Sequence, residues 1–267
     1  MRRSVAARSD VGMIRSGNED NYFADANPFR GLFIVADGMG GHAAGEVASE
    51  MAVQIVAREL SGVKDVRADN VRLMVSRSLL RANAAIYERT LTEIDKQGMG
   101  TTVSALLLSH GRYLIGQVGD SRVYLLRDGA LRQLTKDHSY VQEQVDAGFL
   151  TPEQARYHPY SNVITRCVGA GEHVEPDVYG GDVRVGDLFL VASDGLTGMV
   201  DDRRLQQLLL SRVTPERLVD ALRLVVEQAE QPVVVAARPV DAELEPTRHV
   251  ALHGLPVAAS GESLRRR

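Results

Sequence analysis

Three apolar segments that each lead into an aspartate constrain the fold of this chain most strongly. Segments 32–36 and 188–192 are apolar throughout and near-duplicates of each other, and segment 114–118 has a similar ending. Uninterrupted apolar runs of this length are typical of strands buried on both faces. The sequence therefore predicts buried β-strands with acidic ends. The aspartates that follow these segments are Asp37, Asp120 and Asp194.

If the three strands are neighbours, their aspartates lie together at one end of a core. Such carboxylates would repel one another and lose their hydration. Both effects cost free energy unless a positive charge lies among them. Carboxylate and carbonyl oxygens are hard ligands, which suit Mg²⁺ or Mn²⁺ and not zinc. An Asp-Gly pair after a strand can also be only a turn. Because the ending occurs three times, we favour a metal site.

The remaining pattern predicts helices and antiparallel strands in one domain. Apolar residues recur at helical spacing in 45–60 and 71–94, whereas short runs between residues 103 and 131 are separated by Gly and Asp turns. Strands grouped between helices favour an α+β fold in which sheets pack together under helices. We assign residues 1–240 to this domain, with a divergent part from about 225, and 241–267 to a C-terminal tail.

Composition excludes several classes of protein. The chain has 267 residues, 44% hydrophobic and 25% charged, with a net charge of −4, which is ordinary for a globular protein. The acidic balance disfavours binding to nucleic acid or to an anionic membrane. Cys167 is the single cysteine, and the sequence has no evident signal peptide or membrane-spanning stretch. We therefore expect a cytoplasmic protein.

Three further segments are candidates for phosphate binding or for support of the site. Arg15 precedes Glu19 and Asp20, and its planar guanidinium matches a phosphate, although an arginine beside acids is commonly only a surface ion pair. The glycine-rich segment 38–45 opens a helix and is by itself weak evidence for phosphate binding. The Gly-Thr-Thr sequence at 100–102 is predicted to be structural, with a hydroxyl partner.

Together, these segments resemble the bacterial form of the PPM family, the metal-dependent (type 2C) serine/threonine protein phosphatases. The resemblance covers roughly residues 5 to 225, with the motifs in the family's order. The matching motifs are Asp10-Val11-Gly12 through Arg15, Asn18-Glu19-Asp20, Asp37-Gly38-Met39-Gly40-Gly41-His42, Gly45-Glu46, Gly100-Thr101-Thr102, Val118-Gly119-Asp120-Ser121-Arg122, Tyr124, Leu134-Thr135-Lys136-Asp137-His138-Ser139, Ile164-Thr165-Arg166 and Ser193-Asp194-Gly195-Leu196-Thr197.

The resemblance implies a four-layer sandwich, in which two antiparallel sheets pack together and are flanked by helices. It also implies two Mn²⁺ or Mg²⁺ ions at one end of the sandwich, with a weaker third. Asp37 would bridge both ions, and Gly38 would ligate one of them through its carbonyl. Asp194 would hold the other ion, and Asp120 would belong to the third site.

The resemblance also implies roles around the ions. Arg15 would bind the phosphate, while Glu19 and Asp20 would act through water. A water activated by two ions would attack phosphorus in line, so no protein nucleophile is needed. The polar segment 140–162 would be the family's flap, which borders the substrate groove.

The sequence departs from the family pattern at two places. Met39 stands where some members have a general-acid histidine, and His42 at the helix entry is disfavoured as a substitute. The family's Gly-Gly-x-Asp-Asn stretch, whose aspartate ligates a metal, is absent near residues 227–231. Glu227 and Glu230 lie there in the wrong register, so no replacement ligand is assigned.

We expect an enzyme that removes phosphate from phosphoserine and phosphothreonine on proteins, opposing a serine/threonine kinase and acting as a monomer. The alternative is a phosphatase-like module with weak or no catalysis that binds phosphoproteins or regulates them. The missing C-terminal ligand favours that alternative. The rest of the set is intact and argues against it: Arg15, Asp20, Asp37, Gly38, Asp120 and Asp194. A two-metal nuclease is disfavoured by the acidic charge balance.

Overall fold

The computed structural model describes residues 2–10, 17–211, 214–225 and 233–240. Long apolar segments form its central strands, as expected for chains buried between two layers. In chain order the strands are β1 (Arg2–Ser9), β2 (Asp20–Ala26), β3 (Arg30–Met39), β4 (Gly100–Thr101), β5 (Val103–Ser109), β6 (Arg112–Val118), β7 (Arg122–Arg127), β8 (Ala130–Gln133), β9 (Asp177–Asp182), β10 (Leu188–Ala192) and β11 (Val233–Val240).

Helices occupy the segments with helical spacing or a side-chain cap. Thr151 begins one short helix with a reciprocal capping box to Gln154, which fixes the start of the helix. The α-helices are α1 (His42–Leu60), α2 (Val71–Thr92), α3 (Tyr140–Asp146), α4 (Pro152–Arg156), α5 (Asp194–Thr197), α6 (Asp202–Leu210) and α7 (Pro215–Val225).

The strands form two antiparallel sheets. One sheet has the order β2-β3-β5-β6-β9, with β4 paired to β3 at its end, and the other has the order β1-β11-β10-β7-β8. Each pairing in both sheets is antiparallel. Two antiparallel sheets flanked by helices confirm the predicted fold class.

Three apolar clusters define four layers. α1 and α2 cover the outer face of the β2-to-β9 sheet, and α5, α6 and α7 cover the outer face of the other sheet. The cluster between the sheets includes Phe33, Ile115 and Phe189, which are completely buried. β3 and β10 contribute to this inner cluster with alternate residues, while their other residues pack under the helices. Burial on both faces explains why these two strands are apolar throughout.

β1, β2 and β9 are strands that the apolar pattern does not reveal. The side chains of β2 and β9 are mostly half-buried, and those sequences contain aspartate and glycine. β2 is held by backbone pairing with β3, and β9 by pairing with β6. These contacts join distant parts of the chain, so local sequence does not reveal them. The predicted helix 71–94 ends instead at Thr92, and a short 3₁₀ turn follows at Ile94–Lys96.

The predicted C-terminal tail, 241–267, lies outside the described residues, as does the segment 226–232. The domain boundary at residue 240 therefore stays a prediction. Within the described residues, every helix is too short or too polar to cross a bilayer.

Candidate metal centre

The acidic ends of β3 and β10 meet across the sandwich. Asp20 lies opposite Asp37 in the antiparallel register of β2 and β3. Ser193, at the end of β10, donates a hydrogen bond of 2.8 Å from its hydroxyl to Oδ2 of Asp20. Asp194 lies close enough to Asp37 for its carboxyl, after burial and Asp20, to raise the pKa of Asp37. The strand ends are thus brought together by contact between two sheets, and not by neighbouring positions in one sheet.

The main chain of Asp37 is held by two threonines. The Thr101 hydroxyl and the Thr102 backbone N–H both donate to the Asp37 carbonyl, at 2.8 and 2.9 Å. The backbone N–H of Asp37 donates to Oγ1 of Thr102 at 3.0 Å. The predicted structural role of the Gly-Thr-Thr segment is therefore confirmed: it fixes the backbone that carries Asp37.

Close backbone contact requires glycine beside the site. A Cβ atom on Gly38 would lie 2.1 Å from the carbonyl oxygen of Gly45 in α1. The backbone N–H of Gly38 donates to the Glu19 carbonyl at 3.1 Å. The Glu19 side chain, which is 4% exposed, lies against Gly45, where a Cβ would meet Oε2 at 2.9 Å. Any larger residue at Gly38 or Gly45 would push α1 away from β3 and from Glu19.

Burial and like charge raise the pKa of two of the carboxyls. The pKa of Asp37 is raised well above its ordinary value, first by burial and then by repulsion from Asp20 and Asp194. The pKa of Asp120 is raised to about 8, first by burial and then by the charges of Asp194 and Asp137. A cation bound among these carboxyls would favour the ionised forms of Asp37 and Asp120.

The donor chemistry fits a hard divalent cation. Oδ1 of Asp120 is the one buried side-chain nitrogen or oxygen, among the residues the structure describes, that has no hydrogen-bond partner. A buried oxygen without a partner is costly, and a cation would satisfy it. In the described part of the chain, no three His, Cys, Asp or Glu side chains already enclose a metal position. The side chains of the described residues therefore do not by themselves form a complete metal cage.

The segment predicted as the flap contains α3 and α4 and lies beside α5. Its base is closed by the pairing of Ser139 with Ile164. The Arg156 guanidinium donates to the carbonyls of Thr197 and Gly198, at 3.3 and 3.1 Å. These carbonyls end the short helix that begins at Asp194. The flap is thus attached directly to the element that carries a predicted metal ligand.

Several predicted residues lie beyond what the structure describes. Arg15, Glu227 and Glu230 fall outside the described residues, in segments 11–16 and 226–232. His42 begins α1, but its side chain is also outside the described part. The roles assigned to Arg15, Glu19 and Asp20, and the metal ligands Asp37, Gly38, Asp120 and Asp194, stay predictions.

Two residues that support the site were not assigned roles from the sequence. Ser193 joins Asp20 to the end of β10, and His138 contacts the turn that carries Asp120. Their partners are distant in the chain, so no local periodicity marks them. The only sequence signal is their position beside the acidic motifs, directly before Asp194 for Ser193 and directly after Asp137 for His138.

Sequence comparison identifies relatives over most of the chain. The family model described as protein phosphatase 2C matches residues 15–237. The serine/threonine protein phosphatase PstP of Mycobacterium tuberculosis is 43% identical over 221 residues, which make up 82% of this chain and 41% of PstP. The serine/threonine phosphatase stp of Listeria monocytogenes is 38% identical over 217 residues, or 80% of this chain and 85% of stp. The chain spans about two fifths of the length of PstP.

Solved structures have the same fold. The crystal structure of Mycobacterium tuberculosis PstP superimposes with a TM-score of 0.79 at 37% identity, covering 90% of this chain and 99% of that one. Stp1 from Staphylococcus aureus gives a TM-score of 0.84 at 29% identity, with 90% and 96% covered. With a family model that matches residues 15–237 and relatives of this identity, the chain belongs to the protein phosphatase 2C family.

Proposed function

We propose that this chain hydrolyses phosphoserine and phosphothreonine on proteins and requires Mn²⁺ or Mg²⁺ for the reaction. The observation that carries the proposal is the meeting of carboxyls from both sheets beside the unpartnered Oδ1 of Asp120. A solved structure of the PstP catalytic domain in complex with two manganese ions supports two ions here, at 36% identity and a TM-score of 0.79.

The residues that would hold the ions are Asp37, the Gly38 carbonyl and Asp194, with Asp120 at a weaker third position. Carboxylate and carbonyl oxygens match the preferences of Mn²⁺ and Mg²⁺. When bound, such ions acidify water and neutralise charge on phosphoryl oxygens. The hydrogen bonds that the Asp37 backbone makes with Thr101 and Thr102 hold it in place before any ion binds.

The chain's own side chains supply binding and orientation. Asp20 is 5% exposed and is oriented by the Ser193 hydroxyl, so its carboxyl is fixed beside Asp37. Glu19 is buried against α1, where its carboxylate lies next to Gly45. Arg15 would bind the substrate phosphate through its guanidinium, which has the planar fork that phosphate recognition needs.

The proposed substrates are phosphoproteins, and the proposed opposing partner is a serine/threonine kinase. The names of the relatives, which are serine/threonine protein phosphatases, support this substrate class. We place the enzyme in the cytoplasm as a monomer. The single cysteine is consistent with a reducing compartment, and light scattering after size-exclusion chromatography tests the monomer.

Turnover of p-nitrophenyl phosphate and of a phosphothreonine peptide tests the proposal. Both substrates should be hydrolysed with MnCl₂ present, and EDTA should abolish both activities. An unchanged rate in EDTA would contradict the metal-dependent mechanism. Metal binding without turnover of either substrate would instead support the non-catalytic, phosphoprotein-binding alternative.

A further inference from the structure

The turn that carries Asp120 is tightly constrained on one side. Gly119 has a positive φ of 99°, and a Cβ atom there would lie 2.6 Å from the Thr102 side chain. Thr102 in turn hydrogen-bonds the Asp37 backbone and the Ser121 hydroxyl. The direction of the Asp120 side chain therefore depends on how the Gly119 peptide is held.

His138 hydrogen-bonds both polar backbone groups of Gly119, whose carbonyl also accepts from the Gln117 side chain at 3.0 Å. The Gly119 N–H donates to Nδ1 of His138 at 3.1 Å, and the His138 backbone N–H donates to the Gly119 carbonyl at 3.0 Å. The His138 side chain is only 2% exposed, so water does not replace these bonds easily. The carbonyl of His138 accepts from the Thr165 N–H at 2.8 Å, at the base of the flap.

The other ring nitrogen of His138 faces Asp177. Nε2 lies 3.2 Å from Oδ2 of Asp177, and the Tyr179 hydroxyl donates to the same oxygen at 2.9 Å. Because a backbone N–H can only donate, Nδ1 must present its lone pair to Gly119. The proton then resides on Nε2 and is donated to Asp177. Burial lowers the pKa of His138, which agrees with a neutral ring.

We infer that His138 is a positioning residue that acts through Gly119 to direct Asp120 toward its metal position, with Asp177 fixing the ring tautomer. The inference rests on the proposed function, because it needs a cation to bind at Asp120. Oδ1 of Asp120 is buried and unpartnered, so a small rotation of the turn changes how well that oxygen meets a cation. Residues that orient a metal ligand typically contribute about 10- to 100-fold to metal affinity.

A matched pair of variants separates hydrogen bonding from packing. In His138→Asn the amide oxygen lies as many bonds from the backbone as Nδ1 and can accept from Gly119. His138→Leu has similar bulk but no acceptor. We expect His138→Leu to weaken the weakest Mn²⁺ site roughly 10- to 100-fold in calorimetric titration without substrate. His138→Asn should recover most of this loss, and the KM at saturating Mn²⁺ should change little in either variant.

His173→Leu, at an exposed histidine, is the control and should bind Mn²⁺ like the unsubstituted protein. Equal Mn²⁺ affinity in His138→Leu and the unsubstituted protein would overturn the inference and leave the proposed function intact. An equal loss in the Asn and Leu variants would also overturn it, because packing alone would then explain the effect. Absence of Mn²⁺ binding and turnover in the unsubstituted protein would reject the proposed function itself.

Nitrogen-15 NMR of the metal-free, unsubstituted protein gives a second readout that does not depend on the folding of any variant. A protonated Nε2 and an unprotonated Nδ1 of His138 are the expected signature. A proton on Nδ1 would overturn the inference, because the Gly119 N–H would then have no acceptor.

Discussion

The hydroxyl of Ser193 donates a hydrogen bond of 2.8 Å to Oδ2 of Asp20 and thereby connects the two sheets at their acidic ends. Asp20 pairs with Asp37 in one sheet, whereas Ser193 immediately precedes Asp194 at the end of a strand in the other. The contact joins residues 173 positions apart in the chain. Besides the apolar packing between the sheets, the position of the predicted ligand Asp37 relative to Asp194 therefore depends on a hydroxyl that is not itself a predicted ligand.

Replacing Ser193 by alanine should weaken metal binding and lower the stability of the metal-free protein. The variant leaves one oxygen of the buried Asp20 without this donor, which typically costs ~1 kcal/mol. Urea unfolding in EDTA measures the stability loss, and a Mn²⁺ titration measures the affinity. Ser161→Ala, on the exposed part of the flap, is the control. Unchanged Mn²⁺ affinity in Ser193→Ala would show that the two sheet ends are held together by other contacts.

Removing the charge of Asp37 or Asp194 should abolish catalysis without unfolding the chain. Residues that only orient a metal ligand already contribute ~10–100-fold to metal sites, so loss of a ligand itself, in Asp37→Asn or Asp194→Asn, should lower kcat by at least about 100-fold. Because Asp37 is repelled by Asp20 and Asp194, the metal-free Asp37→Asn protein should unfold at a higher temperature than the unsubstituted protein at pH 8. Normal turnover by either folded variant would contradict the assignment of these ligands.

The metal-free protein should lose stability as the pH rises through the titration of Asp120. The pKa of this carboxyl is about 8 in the folded chain, against an ordinary value of 3.8, so the folded state binds more protons between those values. Stability then falls as pH increases, by at most about 1.4 kcal/mol per pH unit for one proton. Asp37, whose pKa is also raised, contributes a slope of the same sign.

Urea unfolding of the metal-free protein between pH 6.5 and 8 measures this slope. His138, whose pKa is lowered by burial, contributes an opposite slope that is largest below its ordinary value of 6.5 and fades over about one pH unit above it. Asp120→Asn should reduce the slope, and saturating Mn²⁺ should reduce it in the unsubstituted protein by favouring the ionised carboxylate. Equal slopes for Asp120→Asn and the unsubstituted protein would mean that Asp120 titrates normally.

The apolar runs that precede Asp37 and Asp194 predicted β3 and β10 as buried strands because burial on both faces leaves a clear sequence signal. β3 and β10 are apolar at each position between the layers, and their alternate residues enter different clusters. β1, β2 and β9 have no such signal because they are held mainly by backbone pairing to strands already in place. Sequence periodicity therefore cannot predict the edge strands and half-exposed strands of this fold.

The same contrast applies to the candidate site. Asp37, Asp120 and Asp194 could be singled out because each follows a recognisable strand. Ser193 and His138 act through hydrogen bonds to partners that are remote in the chain, Asp20 and Gly119. Which residue orients a ligand is a property of the folded contacts, so it could be found only after the sheets were assembled.

Arg15 should contribute mainly to binding of the ground-state phosphate. A charged hydrogen bond of this kind is worth about 1.5–3 kcal/mol, so Arg15→Ala should raise KM and weaken inhibition by inorganic phosphate more than it lowers kcat. Arg15→Lys retains the charge but not the planar fork, and it should recover only part of the affinity. Inhibition by phosphate that is the same in all three proteins would place Arg15 away from the site.

Arg156 should affect phosphopeptides more than small substrates. Its guanidinium attaches α4 of the flap to the carbonyls of Thr197 and Gly198, at the end of the helix that begins with Asp194. Loss of these bonds in Arg156→Met frees the flap from α5, at a cost of ~1 kcal/mol in flap docking. If the flap borders the substrate groove, as the family resemblance implies, residues flanking the phosphothreonine of a peptide would contact it, whereas p-nitrophenyl phosphate has no flanking residues.

The expected result for Arg156→Met is a KM for the phosphothreonine peptide that rises about fivefold, with the KM for p-nitrophenyl phosphate unchanged. Limited proteolysis should cut the flap faster in this variant, since its attachment to α5 is lost. Arg156→Lys can still donate to one of the two carbonyls and should give an intermediate peptide KM. If both substrates lose affinity equally, Arg156 acts on the metal centre through Asp194 rather than on the docking of the peptide.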